Sequence, residues 1–173
     1  MRTFSTLTLF LFCQLTFAQT DSNIIVKIRK TVEQINKDSN YITKTLENEQ
    51  FLEHMTDRGG QLTGYFKNGR LVKIVEWVGL SSCIDITEYY LKDNELIFAY
   101  IQGKEFQYVD SIARFDSYKQ IITMECRFYF ENGKMTNSTL TGETRCGGKP
   151  TDTWSKAYLE NSSRYEILFK TKK

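Results

Sequence analysis

Apolar and charged residues follow the same order three times along this chain. Each copy has two apolar residues, a charged residue, a two-residue turn, a second charged residue and a further apolar residue. The copies occupy residues 65–71, 90–96 and 129–135. Their centres are Asn-Gly, Asp-Asn and Asn-Gly, which are residue types that tolerate the two positive φ angles of a type I′ turn. The pattern therefore predicts three β-hairpins in series.

Alternation outward from each turn assigns the strand residues to two faces of one antiparallel sheet. One face is expected to form the main core, with Leu62, Phe66, Leu71, Val75, Trp77, Tyr89, Leu91, Leu96, Phe98, Tyr100, Cys126, Phe128, Phe130 and Met135. The opposite face receives Tyr65, Val72, Ile74, Tyr90, Ile97 and Tyr129. This second face is less polar than a solvent-facing surface usually is. Either another part of the chain covers it, or it is an open binding surface.

The N-terminal region has the spacing of an amphipathic helix. Ile24, Ile28, Val32 and Ile35 recur at three- and four-residue steps behind Asp21-Ser22, and the helix is expected to end near Lys37. We expect this helix to cover the core face that carries the phenylalanines. The overall prediction is an α+β fold, with an N-terminal amphipathic helix packed on an antiparallel meander of about six strands built from three β-hairpins.

Two segments are harder to interpret. Residues 41–55 suit either a continued helix or a strand. Residues 157–165 are expected to form a short helix and residues 165–169 a last strand.

The first 18 residues have the order of a secretory signal peptide. Arg2 provides the positive start, residues 7–15 are mostly apolar, and Thr16-Phe17-Ala18 is a small-x-small cleavage site. The apolar run is shorter than the roughly 20 residues that span a bilayer. We therefore expect cleavage near Ala18, a single α+β domain over residues 19–173, a secreted or periplasmic location and no membrane span.

The charges and cysteines set further bounds. With 23 basic and 21 acidic residues the formal net charge is +2, and no basic stripe of the kind that binds nucleic acid is present. Cys83, Cys126 and Cys146 remain after cleavage. Export permits a disulfide, so one bridge at most is expected, with all three pairings open. The remaining thiol is expected to be buried as a small apolar group.

No catalytic or metal-binding motif is found. His54 is the only histidine, and the chain has no Gly-x-Ser-x-Gly motif, no phosphate-binding glycine loop and no His/Cys spacing typical of zinc. We therefore predict a protein that is not an enzyme, with no catalytic residues, no metal site and no cofactor.

The repeated hairpin pattern and the N-terminal helix also resemble segments of known proteins. Repeated Tyr-Tyr/Phe-Phe-x-Asn-Gly-x-Leu hairpins after a signal peptide and the segment from Ile28 to Asn36 resemble a group of uncharacterised secreted proteins of Gram-negative bacteria. The hairpins are also distantly similar to MORN-type repeats, at a longer and less regular spacing. The resemblance implies a hairpin-built secreted domain and implies no activity.

The predicted function is that of a secreted, non-enzymatic binding or interaction module for an unknown protein or cell-envelope ligand. The predicted binding residues are those of the second face: Tyr65, Val72, Ile74, Tyr90, Ile97 and Tyr129. Tyrosine gives a large contact area with a polar tip and is enriched at interfaces. The alternative is an exported inhibitor of a cell-wall hydrolase or protease, which would use the acidic segment Glu47, Glu49, Glu53 and Asp57.

Overall fold

The computed structural model describes residues 15–146 and 152–172, with side chains described for 23–146 and 153–172. The elements in chain order are α1 (Leu15–Lys37), β1 (Ile42–Glu47), β2 (Gly60–Lys67), β3 (Arg70–Gly79), β4 (Cys83–Lys92), β5 (Glu95–Val109), β6 (Arg114–Glu131), β7 (Lys134–Gly142) and α2 (Asp152–Thr171). Residues 1–14 of the predicted signal peptide lie outside the described residues, so cleavage and export stay predictions.

The seven strands form one antiparallel meander in which each strand pairs with the next one along the chain. This arrangement agrees with the predicted α+β class. The predicted count of about six strands was one too low. The additional strand comes from residues 41–55, for which the sequence allowed either a helix or a strand. Ile42 pairs with Phe66 and Glu47 pairs with Gln61 at the edge of the sheet.

The three predicted turns join β2 to β3, β4 to β5 and β6 to β7. Both central residues have positive φ in each turn, for example 51° at Asn68 and 75° at Gly69, and 52° at Asp93 and 65° at Asn94. The type I′ turns predicted from the repeated phrase are therefore confirmed.

Each hairpin also contains a β-bulge that strict alternation does not predict. Tyr65 pairs with Lys73 instead of Val72, so Val72 is an additional residue in β3. Ile97 and Thr136 are the additional residues at the same position of the second and third hairpins. A bulge reverses the faces of all residues beyond it on that strand. The assignments of Val75, Trp77, Phe98 and Tyr100 to the main core face, and of Ile74 to the opposite face, were therefore wrong.

Helix α2 covers the main core face. Tyr165 and Phe169, four residues apart on α2, are buried in the cluster that contains Leu91 and Phe130. The rings of Phe169 and Phe66 meet edge to face at 5.9 Å. Two predictions were wrong here. The N-terminal helix does not cover this face, and residues 165–169 are not a strand but part of a continuous helix.

Helix α1 packs on the opposite face, the one that carries the tyrosines. Ile28 is buried there with Tyr90, Phe98 and Tyr129, and the neighbouring helix residues Ile24, Ile25, Val32 and Ile35 pack against this cluster. The sheet thus lies between two helices, and the chain itself covers much of its second face.

A disulfide joins the start of β4 to the segment that follows β7, at the end of the sheet opposite the hairpin turns. Cys83 at the start of β4 is bonded to Cys146, with their Cα atoms 6.2 Å apart. Among the described cysteines, Cys126 is the free one, and it is buried in the core under α2. Burial raises the pKa of the Cys126 thiol to about 11. The expectation that the unpaired thiol is a buried apolar group is therefore confirmed.

Candidate functional site

A groove opens between α1 and the sheet. We call it the α1 groove; its volume is about 680 Å³ and its lining residues are Arg29, Val32, Glu33, Asn36, Lys37, Glu88, Tyr90, Phe98, Tyr100, Arg127 and Tyr129. The helix contributes Arg29, Glu33 and Lys37 at four-residue spacing, so these charged side chains lie along one side of α1, beside its apolar stripe.

Two cross-strand rows form the floor of the α1 groove. In the first row, Tyr90 of β4 pairs with Phe98 of β5, and Phe98 pairs with Tyr129 of β6. The ring centroids are 5.6 Å apart for Tyr90 and Phe98 and 4.9 Å apart for Phe98 and Tyr129. This row is therefore a continuous aromatic surface across three strands.

The second row carries the charges. Glu88 pairs with Tyr100, and Tyr100 pairs with Arg127. The guanidinium of Arg127 lies 4.7 Å from the ring centroid of Tyr100 and 3.3 Å from Glu125. Tyr100 donates a hydrogen bond to the same Glu125 carboxylate. Arg127 is thus held in place by both a ring and a carboxylate.

The Tyr90 hydroxyl is buried in a polar network at one end of the aromatic row. It hydrogen-bonds to Glu88 and lies 3.0 Å from Oδ1 of Asn36 on α1. Lys73 Nζ lies 2.9 Å from Glu88 Oε2 and 3.1 Å from the same Asn36 oxygen. Burial, followed by the neighbouring Glu88 carboxylate, raises the pKa of Tyr90 well above its usual range. The hydroxyl therefore stays protonated and fixes α1 to the sheet.

Arg29 stands apart from the other basic residues of the α1 groove. Lys37 is paired with Glu33 and Arg127 with Glu125. Arg29 donates from Nε to the hydroxyl of Tyr129 at 3.2 Å, and its guanidinium lies 5.6 Å from that ring centroid. Among the described side chains, no carboxylate lies within ion-pair distance of Arg29. Its two terminal nitrogens therefore have no ion-pair partner within the part of the chain that the structure describes.

The predicted binding residues are only partly brought together. Tyr90 and Tyr129 lie in the floor of the α1 groove, and Ile97 packs at the edge of the same cluster. Tyr65 lies farther along that face, where its ring meets Tyr41 edge to face at 6.0 Å. Ile74 is buried on the opposite face, and Val72 lies in the first bulge. Tyr90 and Tyr129 are 1% and 2% exposed, so of the two alternatives left open for this face, cover by the chain itself holds for these two residues.

Sequence reasoning missed Phe98 and Tyr100 in this site. The bulge at Ile97 turns them toward α1. The run Leu96-Ile97-Phe98 carried a signal, because three consecutive apolar residues do not fit strict alternation and are typical of a bulge or a strand buried on both faces. Arg29 and Asn36 lie in the segment that carries the family resemblance, which assigned no function to them, and Arg127 belongs to no recognisable motif.

The other residues considered from the sequence lie elsewhere. His54 is exposed in the segment between β1 and β2. Glu53 lies 3.8 Å from Arg164, and Asp57 accepts a hydrogen bond from Ser81. Within residues 23–146 and 153–172, no group of three or more His, Cys, Asp or Glu side chains is placed to hold a metal ion.

Comparison with protein-family models, curated proteins and solved structures gives no significant match. Neither described helix has the length and apolar content of a membrane span.

Proposed function

We propose that this protein is a secreted, non-enzymatic binding module and that its ligand lies in the α1 groove. The observation that carries the proposal is the combination of a continuous aromatic floor, Tyr90, Phe98 and Tyr129, with one basic side chain, Arg29, that lacks a carboxylate partner among the described residues. Ligand sites are typically concave and apolar, with a few polar groups that orient the ligand.

The ligand class follows from this combination. An apolar body in the α1 groove would lie against the ring edges that line it and against the half-buried Val32 and Tyr100. Each CH₂ group buried in this way contributes about 0.8 kcal/mol. The Arg29 guanidinium would pair with an anionic group at one end, and its planar fork suits a carboxylate. The ligand is therefore a small amphipathic acid. The volume of about 680 Å³ lies within the usual range of small-molecule sites.

Binding of decanoate and of the uncharged decan-1-ol, measured by calorimetry, tests this proposal. The Arg29→Gln variant should weaken decanoate binding about tenfold, which corresponds to one charge-assisted hydrogen bond, and should leave decan-1-ol binding unchanged. Lys30→Gln is the matched control, because Lys30 is exposed on the same helix and does not line the α1 groove.

A variant in which a larger side chain fills the α1 groove is the second part of the experiment. Val32→Trp should block the α1 groove and abolish binding of both compounds. If Val32→Trp binds decanoate as the unmodified protein does, the ligand does not lie in the α1 groove and the proposal is wrong.

The predicted alternative, an exported inhibitor, is favoured by a different feature. Beyond the pairs Cys83–Glu105 and Met124–Gly142, strands β5 and β6 pair only with each other. This β5–β6 arm, residues 106–122, carries six exposed large apolar side chains: Tyr108, Ile112, Phe115, Tyr118, Ile121 and Ile122. Tyr118 is 96% exposed. Contiguous exposed apolar residues are typical of surfaces that contact other proteins.

An inhibitor of this kind would use the arm and not the acidic segment. If this alternative is correct, inhibition of a lysozyme or a protease by the protein is lost in Tyr118→Ala. The matched variant Glu49→Gln, in the acidic segment, retains it. Inhibition that depends on Glu49 instead of Tyr118 would contradict the assignment to the arm.

A further inference from the structure

A second, more enclosed cavity lies on the other side of the sheet, under α2. We call it the α2 cavity; its volume is about 230 Å³ and its described lining residues are Glu76, Val78, Asp85, Thr87, Tyr89, Ile101, Met124, Thr144, Trp154, Tyr158 and Asn161. The register explains the lining, because Glu76 pairs with Thr87 and Val78 pairs with Asp85. All four side chains therefore lie on the face that α2 covers.

Two carboxyl groups line the α2 cavity, and both side chains are partly covered by the residues around them. Glu76 accepts hydrogen bonds of 2.7 Å from Tyr89 at one oxygen and from Tyr165 at the other. Asp85 has no hydrogen bond or ion pair to any described residue. No basic side chain occurs among the described lining residues. Burial raises the pKa of both carboxyl groups. Asp85 is therefore the carboxylate of this cavity that can pair with a cation entering it, because Glu76 is already occupied by two phenolic donors.

Three of the remaining lining residues are aromatic. The ring of Tyr158 lies 6.0 Å from Tyr89 and 6.3 Å from Trp154, in both cases near edge-to-face geometry. These rings come from α2 and β4, so they enclose the cavity from two directions. The faces of tryptophan and tyrosine attract cations, most strongly where water is excluded.

We propose that the α2 cavity binds a small organic cation, an ammonium or methylated ammonium group, which pairs with Asp85 and lies against Trp154 and Tyr158. Ca²⁺ takes six to eight oxygen ligands and Mg²⁺ takes octahedral oxygen coordination, and a largely aromatic and apolar wall does not supply these ligands. An organic cation uses both the carboxylate and the rings. The small volume admits a head group and a short chain but not a large ligand.

The test compares choline with its uncharged isostere 3,3-dimethylbutan-1-ol. Trp77→Phe leaves Trp154 as the single tryptophan, so its fluorescence reports on the α2 cavity. Choline should give a saturable change at millimolar concentration or below. The alcohol, which has the same shape without the charge, should bind at least about tenfold more weakly. Sodium chloride at equal ionic strength controls for salt effects.

Single substitutions test whether choline binds in the α2 cavity. Asp85→Asn should weaken choline binding by about tenfold or more, while Asp93→Asn, in the exposed second turn, should not change it. Arg29→Gln should also leave choline binding unchanged, since Arg29 lies on the other side of the sheet. Thermal melting by circular dichroism confirms that each variant is folded.

Four outcomes would overturn the proposal, and the first three need only the Trp77→Phe protein. These three are equal affinity for choline and the alcohol, an equal saturable response to sodium ions, and no saturable response to choline at all. Unchanged choline affinity in a folded Asp85→Asn variant is the fourth.

Discussion

The Tyr165 hydroxyl donates a hydrogen bond of 2.7 Å to Oε1 of Glu76, which joins α2 to the sheet inside the core. Tyr89 donates to the other oxygen of the same carboxyl group, so Glu76 is satisfied from both the helix and the neighbouring strand. A buried acid with two phenolic donors makes the packing of α2 sensitive to pH.

The first prediction concerns this pH dependence. Burial raises the pKa of Glu76 above 4.5 in the folded protein. The folded state therefore binds this proton more tightly than the unfolded state does. The free energy of unfolding should fall as the pH rises above the unfolded-state pKa, and the loss should be complete above the folded-state pKa. Glu76→Gln removes this contribution.

Urea unfolding between about pH 4 and pH 8 measures the contribution of Glu76 to the free energy of unfolding. The Glu76→Gln variant should gain stability relative to the unmodified protein as the pH rises. Glu131→Gln, at the exposed end of β6, is the matched control for replacing a surface glutamate. Because Asp85 also has a raised pKa and remains in both proteins, the informative quantity is the difference between them. Parallel stability curves for Glu76→Gln and the unmodified protein would contradict the prediction.

The second prediction tests which helix covers the main core. Phe169 on α2 is 5% exposed, whereas Ile167, two residues earlier, is 60% exposed. Phe169→Ala should reduce the free energy of unfolding by about 3–5 kcal/mol, because it removes a buried ring and leaves a cavity. Ile167→Ala should change it by less than about 0.5 kcal/mol. Equal effects of the two substitutions in chemical denaturation would show that α2 does not pack on the sheet in this orientation.

The third prediction concerns the second turn. Asn94 has a φ of 65°, at the position where the other two turns have glycine. Asn94→Gly should stabilise the protein by a few tenths to about 1 kcal/mol, because glycine adopts positive φ without a steric penalty. Asn94→Ala should destabilise it, since alanine tolerates this region less well than asparagine. Thermal melts of the three proteins check the order; a destabilised Asn94→Gly variant would argue against a type I′ turn here.

The fourth prediction concerns the cysteines. The Cys83–Cys146 bridge has a sequence separation of 63 residues. Replacing both cysteines by serine should cost about 4 kcal/mol through the entropy of the unfolded chain. Cys126 should resist iodoacetamide in the native protein, because it is buried and its thiol pKa is raised to about 11. Mass spectrometry of the labelled protein before and after denaturation distinguishes the buried free thiol from the two bonded cysteines. Labelling of native Cys83 or Cys146 would contradict the assigned bridge.

The candidate site could be anticipated only in part. Tyr90 and Tyr129 were identified from their matched positions in the repeated phrase, and both lie in the floor of the α1 groove. Phe98 was assigned to the wrong face because the bulge at Ile97 lies between it and the turn from which alternation was counted. The sequence assigned no role to Arg29, since its contact with Tyr129 depends on a strand 100 residues away.

The three hairpin turns of this protein can be predicted from the sequence alone. The turn residues define three hairpins because positive φ at two adjacent positions strongly restricts which residues fit. The tertiary structure decided which helix lies on which face. Both helices carry an apolar side, and the sheet has two apolar faces, so periodicity alone allows either arrangement. Three one-residue bulges and the packing of Tyr165 and Phe169 select the observed one. The α1 groove and the α2 cavity exist only as a result of that choice.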